Sequence, residues 1–102
     1  MKLGQLFKLA QHAQAEIAKI QEELADQIIE AQSGGGLVKV KFNGRQEMIS
    51  LEIEPEIAKE GDIEMLSDLI IAAVNEGIKK SSELAQKKIQ EKTAGIDISG
   101  LL

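Results

Sequence analysis

The sequence predicts a single α+β domain over residues 1–92, built as a long helix, a three-stranded antiparallel meander and a second long helix, with a flexible tail over residues 93–102. Three observations carry that expectation. Apolar residues recur every three or four positions between Leu3 and Leu24. Short alternating segments between Ile28 and Ile53 are broken by Gly34-Gly35-Gly36 and Asn43-Gly44. A helical period then returns from Ile63 to Lys92.

The first helix rests on Leu3, Leu6, Ala10, Ala13, Ile17, Ile20 and Leu24, whose spacings of 3, 4, 3, 4, 3 and 4 make a heptad seam. Such a seam predicts packing along its length against another helix, and the small Ala10 and Ala13 make it thin or close. Ile28 to Ser33 reads as a first strand. A phosphate-cradling loop would need a helix opening after the glycines, because helix N-terminal N–H groups supply the attraction for the anion. The residues after Gly36 are instead Leu37-Val38-Lys39-Val40-Lys41-Phe42, an alternating run, so the glycines are read as a turn between strands.

In the second strand, Leu37 to Asn43, Val38, Val40 and Phe42 share one face while Lys39 and Lys41 share the other. Asn43-Gly44 predicts a type I′ hairpin turn, since both residues tolerate the positive φ it demands. The third strand offers Ile49, Leu51 and Ile53 to the core and turns Glu52 outward. Glu54-Pro55 ends it, because proline has no N–H for a ladder. Pro55 to Gly61 reads as a connecting turn or short helical piece, and Asp62 suits the N-cap of the next helix. Along that helix Leu66, Ile70, Ala73, Gly77, Ser81 and Leu84 share a face; the interior Gly77 predicts that another backbone passes close by. Beyond Ala85 the same row continues into Lys88 and Lys92 and stops behaving as a core.

Helices of about 24 and 30 residues span roughly 36 and 45 Å, whereas strands of six or seven residues cover about 20 to 23 Å. The helices must overhang the sheet, toward a partner copy or toward solvent. At 102 residues, with 43% hydrophobic and 28% charged residues, the chain reads as one soluble domain whose small size favours pairing with a second copy. It has no apolar run near the about 20 residues of a membrane span, and no signal-peptide pattern at its N-terminus, so a cytoplasmic location without membrane contact is expected.

The absence of cysteine excludes disulfides, thiolate chemistry and the common zinc ligand sets, and His12 is the sole imidazole, so no metal or cofactor is expected. Ser81 and Ser82 lie in a helical pattern without a linked base, and the 17 carboxylates form no acid/base motif. No enzyme activity or small-molecule substrate is expected.

Net charge is −5, which argues against a generic nucleic-acid binder, yet its distribution is uneven. Residues 1–20 and 79–102 each sum to +2, whereas 55–78 sum to −5 and 21–54 to −4. Positive charge therefore sits on the overhanging chain ends. On the first helix Lys8, His12 and Lys19 lie opposite the seam.

The order of elements and several local strings resemble the YbaB/EbfC family of bacterial nucleoid-associated proteins. The matching stretches are Ala10-Gln11 with Gln14 and Gln21-Glu22-Glu23-Leu24, then Gly34 through Val40, Asn43-Gly44 and Ile53-Glu54-Pro55, and finally Glu64 through Ile70 with Ala72-Ala73-Val74-Asn75. The likeness covers roughly residues 6–92. It implies an intertwined homodimer whose terminal helices project like tweezer arms toward double-stranded DNA. The candidate DNA contacts are the lysines of those arms, Lys2, Lys8, Lys19, Lys80, Lys87, Lys88 and Lys92. The candidate dimer or core seam is Leu6, Ala10, Ala13, Ile17, Ile20 and Leu24 with Gly77. With two Phe and no Tyr or Trp, single-strand stacking is disfavoured. Without arginine on the arms, binding should be weakly sequence-selective and carried by phosphates, with effects on gene expression. The alternative is a protein-interaction module that docks through the helical seam, a view its acidic middle favours.

Overall fold

Hydrophobic alternation and helical periodicity resolve into six elements in a computed structural model, which describes residues 2–93. They are α1 (Leu3–Ala25), β1 (Ile28–Ser33), β2 (Val38–Asn43), β3 (Met48–Ile53), α2 (Pro55–Glu60) and α3 (Ile63–Thr93). The helix–meander–helix order is the expected one, with β2 starting at Val38 rather than Leu37. The predicted tail beyond Thr93 lies outside the described residues.

The strands form one antiparallel sheet in the order β1-β2-β3. In the central strand Val38, Val40 and Phe42 are buried on one face, while Lys39 and Lys41 point to the other. Cross-strand partners share a face, so Ala31 opposite Val40 joins the core from β1. The glycine turn behaves as read: Gly34, Gly35 and Gly36 have φ of 61°, 68° and 97°, and the Gly36 N–H donates to Ser33 O at 3.2 Å. Consecutive left-handed residues are the type I′ requirement, which glycine meets without a Cβ clash. A strand comes after the glycines, and no helix opens there.

The second hairpin departs from expectation. Neither Asn43 nor Gly44 is left-handed; the positive φ, 63°, falls on Gln46. Gln46 N–H donates to Asn43 O at 3.3 Å and Asn43 N–H to Glu47 O at 2.9 Å, so the loop is a turn over Asn43–Gln46 closed by a left-handed residue, the three-residue pattern. Asn43 uses its side chain where the two-residue turn would have used its backbone: Oδ1 accepts from the N–H groups of Arg45 (2.9 Å) and Glu47 (3.1 Å).

Helix α3 lies across β1 and β2 and closes the core of Ala31, Val38, Val40, Phe42 and Ala73, with Leu66, Leu69, Ile70 and Val74 packed around it. Asp62 caps it as expected, Oδ1 accepting the Met65 N–H at 3.0 Å. The Ser33 hydroxyl donates to Leu69 O at 2.6 Å and ties the glycine turn to the first part of the helix. Gly77 is indeed a point of close approach, but the neighbour is a side chain: a Cβ here would collide with the Phe42 ring and meet Val40 Cγ2 at 3.3 Å. A ring laid against a helix demands the same small residue as a crossing backbone.

Strand β3 corrects the predicted core set. A bulge between Lys41 and Phe42 pairs Phe42 with Met48 and leaves Ile49 without a partner residue. Because α3 covers β1 and β2, the β3 side of the sheet stays open: Ile49 is 53% exposed and Leu51 41%, and only Ile53 is half-buried. Between sheet and α3, Pro55 opens α2, Ile57 buries itself, and Gly61 closes the turn with φ 71°.

Candidate nucleic-acid interface

The β2–β3 loop grips both long helices. Gly44 N–H donates to Leu24 O near the end of α1 at 2.8 Å. On α3 the fully buried Ser81 hydroxyl accepts from Gln46 N–H at 2.9 Å and donates to Asn43 O at 2.7 Å. From this loop α3 runs on through residues 82–93 while α1 runs back toward its N-terminus alongside it. The 23 residues of α1 and 31 of α3 correspond to about 34 and 46 Å, against about 20 Å for strands of six residues. The predicted overhang is real, and it places the start of α1 and the end of α3 at one end of the sheet, in a molecule 68 Å long and 23 × 18 Å across.

The seam is only partly a core. Ile20 and Leu24 are buried, next to the loop, whereas Leu6 and Ile17 are 52% and 56% exposed, and Ala10 and Ala13 are exposed as well. The reason is geometric: beyond the loop there is no sheet, and the two helices flank a groove of about 900 Å³ lined by Leu9, Ala13 and Ile17 on one side and Ala85 and Ile89 on the other. The chain's own fold leaves the outer seam uncovered.

The candidate lysines divide into three sets. Lys2 just before α1, Lys8 and Lys19 on α1, and Lys87 on α3 are exposed, with no ion pair among the described residues. Lys88 and Lys92 instead reach Glu23 of α1, at 3.3 and 4.0 Å. The face past Ala85, read as no longer a core, therefore meets a carboxylate of the neighbouring helix, and Lys88 is half-buried there. The Lys88 hydrogen bond holds the Glu23 carboxyl below its ordinary value; partial burial opposes this, and the charges of Lys92, Lys88 and Lys19 reinforce it. Lys80 lies back beside the sheet, its Nζ donating to Glu30 O at 3.2 Å. Lys88, Lys92 and Glu23 thus form the brace between arms, and the unpaired lysines mark their outer faces.

Sequence reasoning misses two residues at the arm root. Ser81 falls in the apolar row by its period, though a serine at a core position of a helix signals a hydroxyl with partners on another element. Arg45, the sole arginine of the chain, carries no local signal beyond its place in a hairpin loop. It lines the groove between α1 and α3 together with His12, Glu16 and Lys92. Among the described residues, no cluster of His, Cys, Asp or Glu could hold a metal, and no helix is long and apolar enough to cross a membrane.

A small sheet-and-helix body carrying a braced pair of lysine-bearing helices defines a class of helical-arm α+β proteins. The model of the YbaB/EbfC DNA-binding family matches residues 1–96, and the chain belongs to that family. Among its relatives is a nucleoid-associated protein of Thermoanaerobacter pseudethanolicus, 41% identical over 99 residues that make up 97% of this chain and 89% of the relative. A nucleoid-associated protein of Syntrophobacter fumaroxidans is 47% identical over 88 residues, 86% of this chain and 80% of the relative. The crystal structure of an uncharacterised protein of Helicobacter pylori has a TM-score of 0.81 at 30% identity, covering 93% of this chain and 99% of that one.

Proposed function

We propose that this protein is a homodimeric, nucleoid-associated protein of the bacterial cytoplasm that binds double-stranded DNA through lysines of its projecting helices, with low sequence selectivity and consequences for gene expression. The observation that carries this reading is the exposed set Lys2, Lys8, Lys19 and Lys87, on or at the start of two helices that leave the sheet together, in a chain whose net charge is −5. Concentrating cations on the arms while the body stays acidic directs polyanions to the arms. Lysine, a point charge, contacts phosphates without reading bases. The family description and the relatives' names support DNA as the partner. Neither catalysis nor a small-molecule substrate enters this reading.

The homodimer is supported by what the chain leaves open: Leu6 and Ile17 on the arm, and Ile49 and Leu51 on the uncovered side of the sheet, are all more than two-fifths exposed. Exposed large apolar side chains gathered on one arm and one side of a sheet mark interfaces. Sedimentation at micromolar concentration should give about twice the chain mass of 11.1 kDa; a monomer contradicts the dimer.

Duplex affinity measured across a salt series should fall with a slope of about −0.9 per phosphate neutralised. A variant with Lys2, Lys8, Lys19 and Lys87 all changed to Glu should bind far more weakly. A flat salt series, or undiminished binding by that variant, defeats the reading. The exposed arm seam also supports a second reading, a module that docks another protein. Partners captured from extract that survive nuclease treatment favour docking, and partners that vanish favour DNA.

A further inference from the structure

The chain places its single guanidinium at the point from which both arms spring. We propose that Arg45 is a direct contact to DNA phosphate at the root of the arm pair, an inference that rests on the DNA-binding reading above and adds to it a residue outside the arm lysines. The side chain is exposed and has no hydrogen bond or ion pair among the described residues. The adjacent carboxylate, Glu47, is already engaged, its Oε1 accepting from Asn43 Nδ2 at 2.9 Å.

The backbone beneath Arg45 is held from three directions. Its own N–H donates to Asn43 Oδ1, the preceding Gly44 N–H donates to α1, and the next residue's N–H, that of Gln46, donates to Ser81 of α3. A rigid mount reduces the ordering cost of a contact made by its side chain, which long flexible arm lysines bear in full. The groove it faces carries Arg45 and Lys92 as cations and Glu16 as its carboxylate, and Lys92 is also paired with Glu23. Its planar fork of donors fits two phosphate oxygens at once, a geometry no lysine reproduces. Each arm pair then holds a strand by a fixed forked contact at its base and by mobile lysines along its length.

The test is fluorescence anisotropy of a labelled duplex across a salt series, with the full-length chain and its Arg45→Ala, Arg45→Lys and Arg45→Glu variants, thermal melting verifying the fold of each. Arg45→Ala should weaken binding several-fold and reduce the salt slope by about 0.9 for each copy engaged. Arg45→Lys should keep the slope but lose part of the affinity, and Arg45→Glu should bind worst. If Arg45→Ala binds with the parent's slope and affinity while a Lys8→Glu, Lys87→Glu variant is impaired, the Arg45 contact is overturned and the arm reading stands. If the parent itself shows no salt-dependent binding, both are overturned. Should Arg45→Ala melt early, the other two variants decide: equal slopes for Arg45→Lys and Arg45→Glu overturn the contact.

Discussion

The two halves of α3 share one continuous helix and have opposite surroundings. Up to Ser81 it lies on the sheet and presents Ala73, Gly77 and Ser81, all fully buried or nearly so; beyond Ser81 it meets α1 through Lys88 and Lys92. Small residues occur where a twisted sheet and an aromatic ring come close, and charged ones where only another helix and solvent are left. Helix continuity is therefore a mechanical device: stability gathered on the sheet holds an arm that has little core of its own.

The largest test of that contrast is Phe42→Ala, which empties the space under Gly77 and should cost about 3–5 kcal/mol in urea unfolding. Adding Gly77→Ala to it should cost less than the two single effects combined, because the new methyl enters the vacated space; strict additivity would mean the ring and the glycine are not coupled. On α1, Ile20→Ala should cost about 2–5 kcal/mol, whereas Ile17→Ala should stay within about 0.5 kcal/mol for the isolated chain. If Ile17→Ala makes melting strongly concentration-dependent, a second copy covers the outer seam. Ser81→Ala strips Gln46 N–H and Asn43 C=O of their partner and should cost about 1–3 kcal/mol, with the arm half of α3 gaining hydrogen exchange ahead of the sheet half. Equal exchange along the helix would show that the loop is not what anchors the arm.

The smallest effect belongs to the brace. Because the folded state lowers the Glu23 carboxyl below its unfolded value, its stabilising contribution is complete above about pH 4.3 and disappears as pH falls through the lower folded-state value. The stability difference between the parent and Glu23→Gln should thus be present at pH 7 and vanish once the pH has fallen through the lowered folded-state value. A difference that persists in acid would mean that charge pairing is not its source.

Much of the fold is legible in the sequence because it obeys local rules. The order of elements, the glycine turn, the Asp62 cap and the core face of β2 depend on period, φ tolerance and side-chain hydrogen bonding within a few residues. The places where structure and expectation differ depend on what lies across the fold. Asn43-Gly44 matches a type I′ turn locally, but the loop also meets Leu24 and Ser81, and the conformation that satisfies those donors and acceptors prevails. Ile49 alternates correctly with Leu51, yet a bulge removes it from the ladder and α3 packs mainly over β1 and β2. Of the candidate site, the basic character of the arms is readable as charge along the chain. The pairing of Lys88 and Lys92 with Glu23, some sixty-five residues distant or more, is not.

Two long helices, their overhang and the signs of charge they carry follow from residue order alone, since helix length, strand length and charge are properties of contiguous residues. That both arms leave the same end of the sheet, which lysines are braced, and that Arg45 stands between them emerge once the chain is packed. Those depend on which distant surfaces pack together, and packing is settled by the shape of Phe42 against Gly77 and by the hydrogen bonds of one short loop rather than by any local pattern.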